Sequence, residues 1–302
     1  MKVLVSGAAG FIGSHAVQLL EARQNKVIAL DNFSTGRTEN LKGFKGPIEI
    51  CDVRDYDLLK GVFDRHWPEA VVHLAAQSAI STAWNSPGVD LDINARGTMN
   101  LLELSTRFGV ERFIFASTAA VYGKSGFFSS KETDVFTPDT PYGISKMIAE
   151  HYIRLLHKNH VILRFANIYG PRQEPIGENQ VVARALDHFL HGADFEVHGD
   201  GNQKRDFVYV DDVVHAIWLS LTSPTGTYNV ASGKSRSVND VLHEIEKLFE
   251  VEGYKWTHRK EPDQRGSVYM SGGKIRRELG WYPSVTLEEG IALTCDWWRE
   301  NK

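Results

Sequence analysis

The sequence predicts an α/β protein built on a doubly wound parallel sheet, and three observations carry that expectation. Short, nearly continuous apolar runs recur through the first half: KVLVS (2–6), KVIAL (26–30), AVVHL (70–74), RFIFA (112–116) and HVILRF (160–165), with a shorter one at 48–51. Stretches with apolar residues at helical spacing separate them, over 11–22, 55–66, 90–108 and 142–158. Glycines 7, 10 and 13 stand between the first run and the first helical stretch. Runs without polar alternation suit strands covered on both faces, and their alternation with helices predicts a Rossmann-type layered sheet.

The second half breaks this rhythm. Residues 170–179 are rich in Pro, Gly and polar residues and read as a loop, and 181–191 as a helix. A strand runs from 196 into the Gly-rich turn before Arg205, and 207–210 is a strand leading into a capped helix over 211–221. Further helices are expected at 238–249, 273–279 and 286–299. The pattern predicts a smaller, interleaved α/β substrate domain. Residues 1–166 and 206–232 would form the dinucleotide-binding domain, and 167–205 and 233–302 the substrate domain.

Composition narrows the function. Hydrophobic residues make up 42% and charged residues 24%, the balance of a globular enzyme, and the net charge of −4 argues against a nucleic-acid partner. Two cysteines, Cys51 and Cys295, form no C-x-x-C pair, and His15, His73 and His215 share no metal spacing, so no metal site is expected. No apolar stretch reaches the ~18–20 residues that span a bilayer, and a chain of this kind is expected in the cytoplasm.

The glycine spacing has a chemical reading. Gly7 permits a tight turn, Gly10 lets backbone approach a pyrophosphate, and Gly13 lets the helix pack close to the sheet, with the helix N-terminus facing the phosphates. Asp31 ends the second strand, where a carboxylate accepts from a ribose 2′-hydroxyl and repels a 2′-phosphate. NAD is therefore expected over NADP, with Arg37 keeping some NADP use open. Asp31 can also be read as a turn former, because Asp-Asn-x-Ser-x-Gly favours turns. Asp52, Val53, Leu74, Ala75 and Ala76 follow strand ends, where such a sheet lines its ligand crevice.

Tyr142 and Lys146 lie four apart, on one helix face. An ammonium beside a phenol should lower its pKa and fit it for proton transfer, and the lysine can also hold a nicotinamide ribose. Ser117 and Thr118 offer hydroxyls just past the fifth run. A surface lysine on an ordinary amphipathic helix is the alternative for an isolated Y-x-x-x-K.

Together the stretches VSGAAGFIGSH (5–15), LDNFSTG (30–36), HLAAQ (73–77), NARGTMNLLE (94–103), STAAVYG (117–123), PYGISK (141–146), RFANIYGPR (164–172), HGDGNQKRDFVYVDD (198–212) and LGWYP (279–283) resemble the extended short-chain dehydrogenase/reductases, within their NAD-dependent epimerase/dehydratase group. The resemblance spans nearly the whole chain. It implies Tyr142 as catalytic acid/base, Lys146 as its pKa-lowering and ribose-binding partner, and Thr118 as the assisting hydroxyl. It also implies NAD contacts at Phe11, Ile12, Asn32, Ser34, Thr35, Gly36 and Ile168. On the substrate side it implies Asn167 and Arg205 at the diphosphate, His198 stacking on the base, and contacts from Val182.

Related dehydratases and decarboxylases resemble one another in an acidic residue between the Ser/Thr and VYG, where this chain has Ala119 and Ala120. The resemblance therefore implies reversible C4 epimerisation of a UDP-hexose, glucose/galactose or their N-acetyl forms, through a 4-keto sugar. Alternatives are a UDP-glucuronate 4-epimerase, a 4-keto reductase or a dehydratase, and more distantly a non-catalytic NAD-binding regulator. The chain departs from the family at Gln264-Arg265-Gly266-Ser267, where Arg-x-Gly-Asp is usual; Arg265 is shifted by one place. Ser271 would either widen a sugar gate or be a plain loop serine. Apolar residues on more than one side of the helices at 94–108 (Leu101, Leu102, Leu104) and 142–158 (Ile148, Tyr152, Leu155) predict a homodimer through a helical bundle.

Overall fold

The computed structural model describes residues 1–123, 129–175, 180–191, 195–249, 257–259 and 269–301. The large sheet takes β1 (Lys2–Ser6), β2 (Lys26–Asp31), β3 (Ile48–Ile50), β4 (Ala70–His73), β5 (Arg112–Thr118), β6 (His160–Phe165) and later β10 (Gly226–Val230). Its order is β3-β2-β1-β4-β5-β6-β10, parallel throughout. The order reverses beside β1, and ligands bind at the carboxyl edge of such a switch point.

Both faces of the sheet are buried, which explains the unbroken apolar runs. On one face Val3 and Val5 pack with α1 (Phe11–Ala22) and α8 (Val210–Leu219). On the other, Leu4, Phe113 and Phe115 pack under α2 (Tyr56–His66), α5 (Gly97–Arg107) and α6 (Pro141–Leu156). The strand period of two assigns each residue its face.

Short helices α3 (Ile80–Asn85) and α4 (Pro87–Leu91) follow β4. The single helix expected at 90–108 is instead α4, a π turn over Asp92–Arg96, and α5. Asn94 inside that turn donates to the Gln77 carbonyl at 2.9 Å and accepts from the Gln77 amide at 3.0 Å, and these off-axis bonds accompany the widened turn. Leu101, Leu102 and Leu104 are fully buried, so they fill the core and do not form a second apolar face; Met99 is the exposed apolar residue of α5.

The second region holds β7 (Asn167–Tyr169), α7 (Val181–His191), β8 (Glu196–His198), β9 (Lys204–Tyr209), β11 (Ser235–Ser237), α9 (Val238–Phe249), β12 (Thr257–Arg259), α10 (Gly273–Leu279) and α11 (Leu287–Asn301). β9 lies between β7 and β11, and β8 pairs with β12. A separate core joins α7, α9 and α11 through Leu186, Leu242 and Trp298. Of 206–232, α8 packs on the large sheet and β10 extends it, whereas β9 pairs in the small sheet. Among the described residues no helix is long and apolar enough to cross a membrane.

Candidate active site

At the first loop the glycines are sterically required. Gly7 has φ +71°, and a Cβ there would stand 2.7 Å from the Ala75 nitrogen. A Cβ on Gly13 would stand 1.9 Å from the Gly7 carbonyl oxygen, so α1 lies directly on the turn. Gly10 begins α1 with no side-chain cap, which leaves the first-turn N–H groups for an anion. The chemistry of this backbone cradle, with N–H groups at a helix start, suits a pyrophosphate.

Asp31 fulfils its turn-forming reading. Its Oδ1 accepts from the Phe33 amide and its Oδ2 from the Ala9 amide, each at 2.8 Å, so it forms the turn and ties it to the Gly loop. Each carboxylate oxygen keeps a lone pair for a ribose hydroxyl. Asn32 donates to Asp52 at 2.8 Å and accepts from the Ser34 amide at 3.0 Å; Ser34 and Thr35 are exposed, and Gly36 lies against Ala9. The Arg54 guanidinium holds the Asp52 carboxyl well below the usual range. Val53 packs on Gly97, and Leu74 and Ala75 pack beside the two faces of the sheet with Ala76 next in the chain. Phe11, Ile12 and Ile168 pack against the second core, so α1 and β7 meet there. Arg37 is occupied: it pairs with Glu174 at 2.9 Å.

The chemical end lies past β5. Thr140 caps α6 by accepting from the Gly143 amide at 3.1 Å, with Pro141 at the first helical position. A Cβ on Gly143 would stand 2.6 Å from the Ala120 carbonyl oxygen, so the start of α6 presses on the turn Ala119–Tyr122. The Thr118 hydroxyl, at the edge of this turn, lies near enough to the Tyr142 phenol to lower its pKa. Lys146, one turn on, is buried with its Nζ 4.2 Å from the centre of the Phe115 ring.

The expected fall in the Tyr142 pKa does not occur in the protein alone. Burial pushes the phenol up to about 12, and the neighbouring Thr118 hydroxyl only partly opposes it. Lys146 is itself desolvated, which lowers it to about 7, and the charges of Asp90 and Glu150 oppose that fall. Tyr142 and Lys146 do share one helix face, as the spacing predicts.

The sequence reading missed the polar groups behind this pair. Asp90 is buried, with Oδ1 accepting from Gln77 at 2.8 Å and from Asn94 at 3.0 Å, and Asn94 also donates to Ser145 at 3.1 Å. Glu150 is fully buried one further turn along α6. Its i+8 spacing from Tyr142 was the available signal. His73 lies between the Ser6 and Thr98 hydroxyls at 2.7 and 2.9 Å, and burial lowers it to about 3, a neutral packed ring.

Of the residues expected at the diphosphate, Asn167 and Arg205 come from neighbouring strands, with Asn167 paired to Phe207 on β9. Asn167 donates to the Asp206 carbonyl at 3.3 Å, and Arg205 is buried. Val182 is buried in the second core. Ser271 lies in the wall of a cavity of about 530 Å³ with Arg154, Arg164 and Lys274; its N–H donates to the Ser130 carbonyl at 2.9 Å. The His198 side chain and Arg265 lie outside the described residues.

A family model, that of the NAD dependent epimerase/dehydratase family, matches residues 3–231. The chain belongs to the NAD dependent epimerase/dehydratase family. It is 33% identical to a UDP-glucose 4-epimerase of Mycolicibacterium smegmatis, over 100% of this chain and 99% of that one. Among solved structures it resembles a UDP-glucose 4-epimerase of Thermotoga maritima with UDP-glucose, at TM-score 0.95 and 35% identity over 99% of both chains. It also resembles a UDP-glucose 4-epimerase of Thermus thermophilus in complex with NAD, at TM-score 0.93 and 36% identity over 100% of both chains. The epimerase/dehydratase match contains the Gly cradle and Thr118, Tyr142 and Lys146; Arg265 and Ser271 fall beyond it.

Proposed function

We propose that the protein interconverts the C4 epimers of a UDP-hexose, with Tyr142 as acid/base, Thr118 as its hydroxyl partner and Lys146 as the cation beside them. The observation that carries this is the Thr118 hydroxyl beside the Tyr142 phenol, with a buried Lys146 one turn along the same helix, on a sheet edge shared with a glycine cradle for a pyrophosphate. Tyr142 takes the O4 proton while the C4 hydride leaves, and returns it to O4 when the hydride comes back on the other face of the 4-keto sugar. Oxidised NAD, when bound, supplies the hydride acceptor and a positive charge that opposes the burial penalty on the phenolate. Gly7, Gly10 and Gly13 would hold its phosphates and Asp31 its adenosine ribose. Thr118 orients the sugar hydroxyl and the phenol together, and Asn167 and Arg205 meet the diphosphate. The turn Ala119–Tyr122 carries no carboxylate, which favours epimerisation over loss of water.

Residues 1–166 with 206–232 act as the dinucleotide-binding unit, and the remainder receives the nucleotide sugar. The exposed apolar residues Ile144, Tyr152 and Leu155 of α6, beside Met99 of α5, support a homodimer through these helices. Two buried free cysteines suit the cytoplasm. The test is incubation with UDP-glucose, UDP-galactose, their N-acetyl forms and UDP-glucuronate, with and without added NAD, and chromatography of the products. A C4 epimer is expected; a dehydrated sugar, or no conversion, overturns the proposal. Sedimentation is expected to show a dimer, and a concentration-independent monomer would reject that part.

A further inference from the structure

We propose that Glu150 is a positioning residue that clamps Ser117 of β5 to α6 and so registers the Thr118 hydroxyl against Tyr142 and Lys146. The inference rests on the epimerase reading of that site.

Tyr142, Lys146 and Glu150 occupy successive turns of one helix face. Glu150 has no exposed surface, and all of its acceptor positions are used. Its Oε1 accepts from the Ser117 hydroxyl and from Arg164 Nε at 3.0 Å. Its Oε2 accepts from Arg164 at 2.8 Å and from Arg154 at 2.5 Å. Ser117 and Arg164 are directly paired across β5 and β6, so one carboxylate gathers two strands and a helix at the residue before Thr118. Arg164 is in turn held by the Tyr122 hydroxyl at 2.6 Å, and Tyr122 donates to Asn229 of β10 at 2.7 Å. The clamp therefore reaches the edge of the sheet.

Stability alone does not call for this arrangement. Replacing a buried ion pair by apolar residues of similar size is often neutral or stabilising. What a carboxylate with four defined donors does supply is a unique distance between β5 and α6. That distance sets whether the Thr118 and Tyr142 oxygens face one sugar hydroxyl, and a misplacement of about 1 Å costs up to about a hundredfold in rate. Glu150 also acts on Lys146 through its field, together with Asp90 at the end of α4. The Phe115 ring and the neutral His73 also face Lys146.

Two variants separate positioning from a purely structural role. Ser117→Ala leaves the Glu150–Arg164–Arg154 ion pairs intact and removes only the tie to β5. Its kcat should fall about tenfold, with KM within about twofold of the parent and an unchanged melting temperature. Glu150→Gln keeps the shape but removes the charge. Loss of that charge lowers the Lys146 pKa, so the alkaline limb of the kcat–pH profile should move to lower pH, and lysine Nζ NMR of the protein without substrate should show the same shift. Wild-type kcat in Ser117→Ala, or a Lys146 titration unmoved in Glu150→Gln, overturns the proposal. If Glu150→Gln does not fold, the Ser117→Ala kinetics decide. Failure of the epimerase reading would appear separately, as wild-type protein that converts no UDP-hexose.

Discussion

The two ends of the crevice are built by opposite means. The proposed dinucleotide end is made of backbone: Gly7 and Gly13 bring chain and helix so close that a side chain has no room, and Gly10 opens the helix without a side-chain cap. The proposed catalytic end is made of side chains drawn from β5, α4 and α6, and burial displaces the proton affinities of Tyr142 and Lys146. The first is a local conformation repeated wherever the spacing repeats. The second exists only when distant segments pack, and its chemistry is set by what surrounds it.

This contrast predicts different failures at the two ends. Tyr142→Phe should lower kcat by about 10³-fold, within the range for loss of a general acid/base, while NAD affinity measured by calorimetry stays near that of the parent. Retained turnover would remove the phenol from the mechanism. Gly13→Ala should do the reverse. The added methyl meets the Gly7 carbonyl oxygen at 1.9 Å, and overpacking of this kind costs about 1–3 kcal/mol. NAD binding and melting temperature should fall together, with no special effect on the proton-transfer step. A variant that binds NAD normally would show that the loop has slack.

A smaller effect concerns pH. The folded pKa of Lys146 lies near 7, below its ordinary 10.5, so between those values the folded state binds fewer protons than the unfolded one. The Lys146 contribution should therefore raise stability as pH climbs through that window. Lys146→Met should flatten the rise; thermal melts from pH 7 to 10 on both proteins check it. The smallest effect lies at the adenosine end. Arg37 is held by Glu174 across an exposed pair of modest worth. Glu174→Gln should free Arg37 and improve NADP binding relative to NAD by only a few-fold, because Asp31 remains. An unchanged ratio of affinities would show that Glu174 plays no part in the choice.

Legibility followed the same divide. KVLVS, RFIFA and HVILRF were readable as buried strands because both sheet faces are covered. By contrast β10 (GTYNV) carries polar residues: Asn229 is buried yet bonded to Tyr122, so it gives no apolar run. The three-residue strands β7, β11 and β12 were missed because pairings that short carry no periodicity. Leu101, Leu102 and Leu104 were misread as a second helix face because α5 is covered over one wide side by the sheet, α2 and α6, so all three enter the same core.

The sequence by itself determined the layered α/β sheet, the glycine cradle, Asp31 at the end of β2 and the shared face of Tyr142 and Lys146, since each depends on residues within a few positions of one another. Only the tertiary structure decided the proton affinities at the catalytic end and the buried groups that tune them. Burial moved Tyr142 up and Lys146 down, against the simple expectation for a phenol beside an ammonium. Asp90 and Glu150 became part of the site because folding removed them from water, where the interaction of charges is no longer screened.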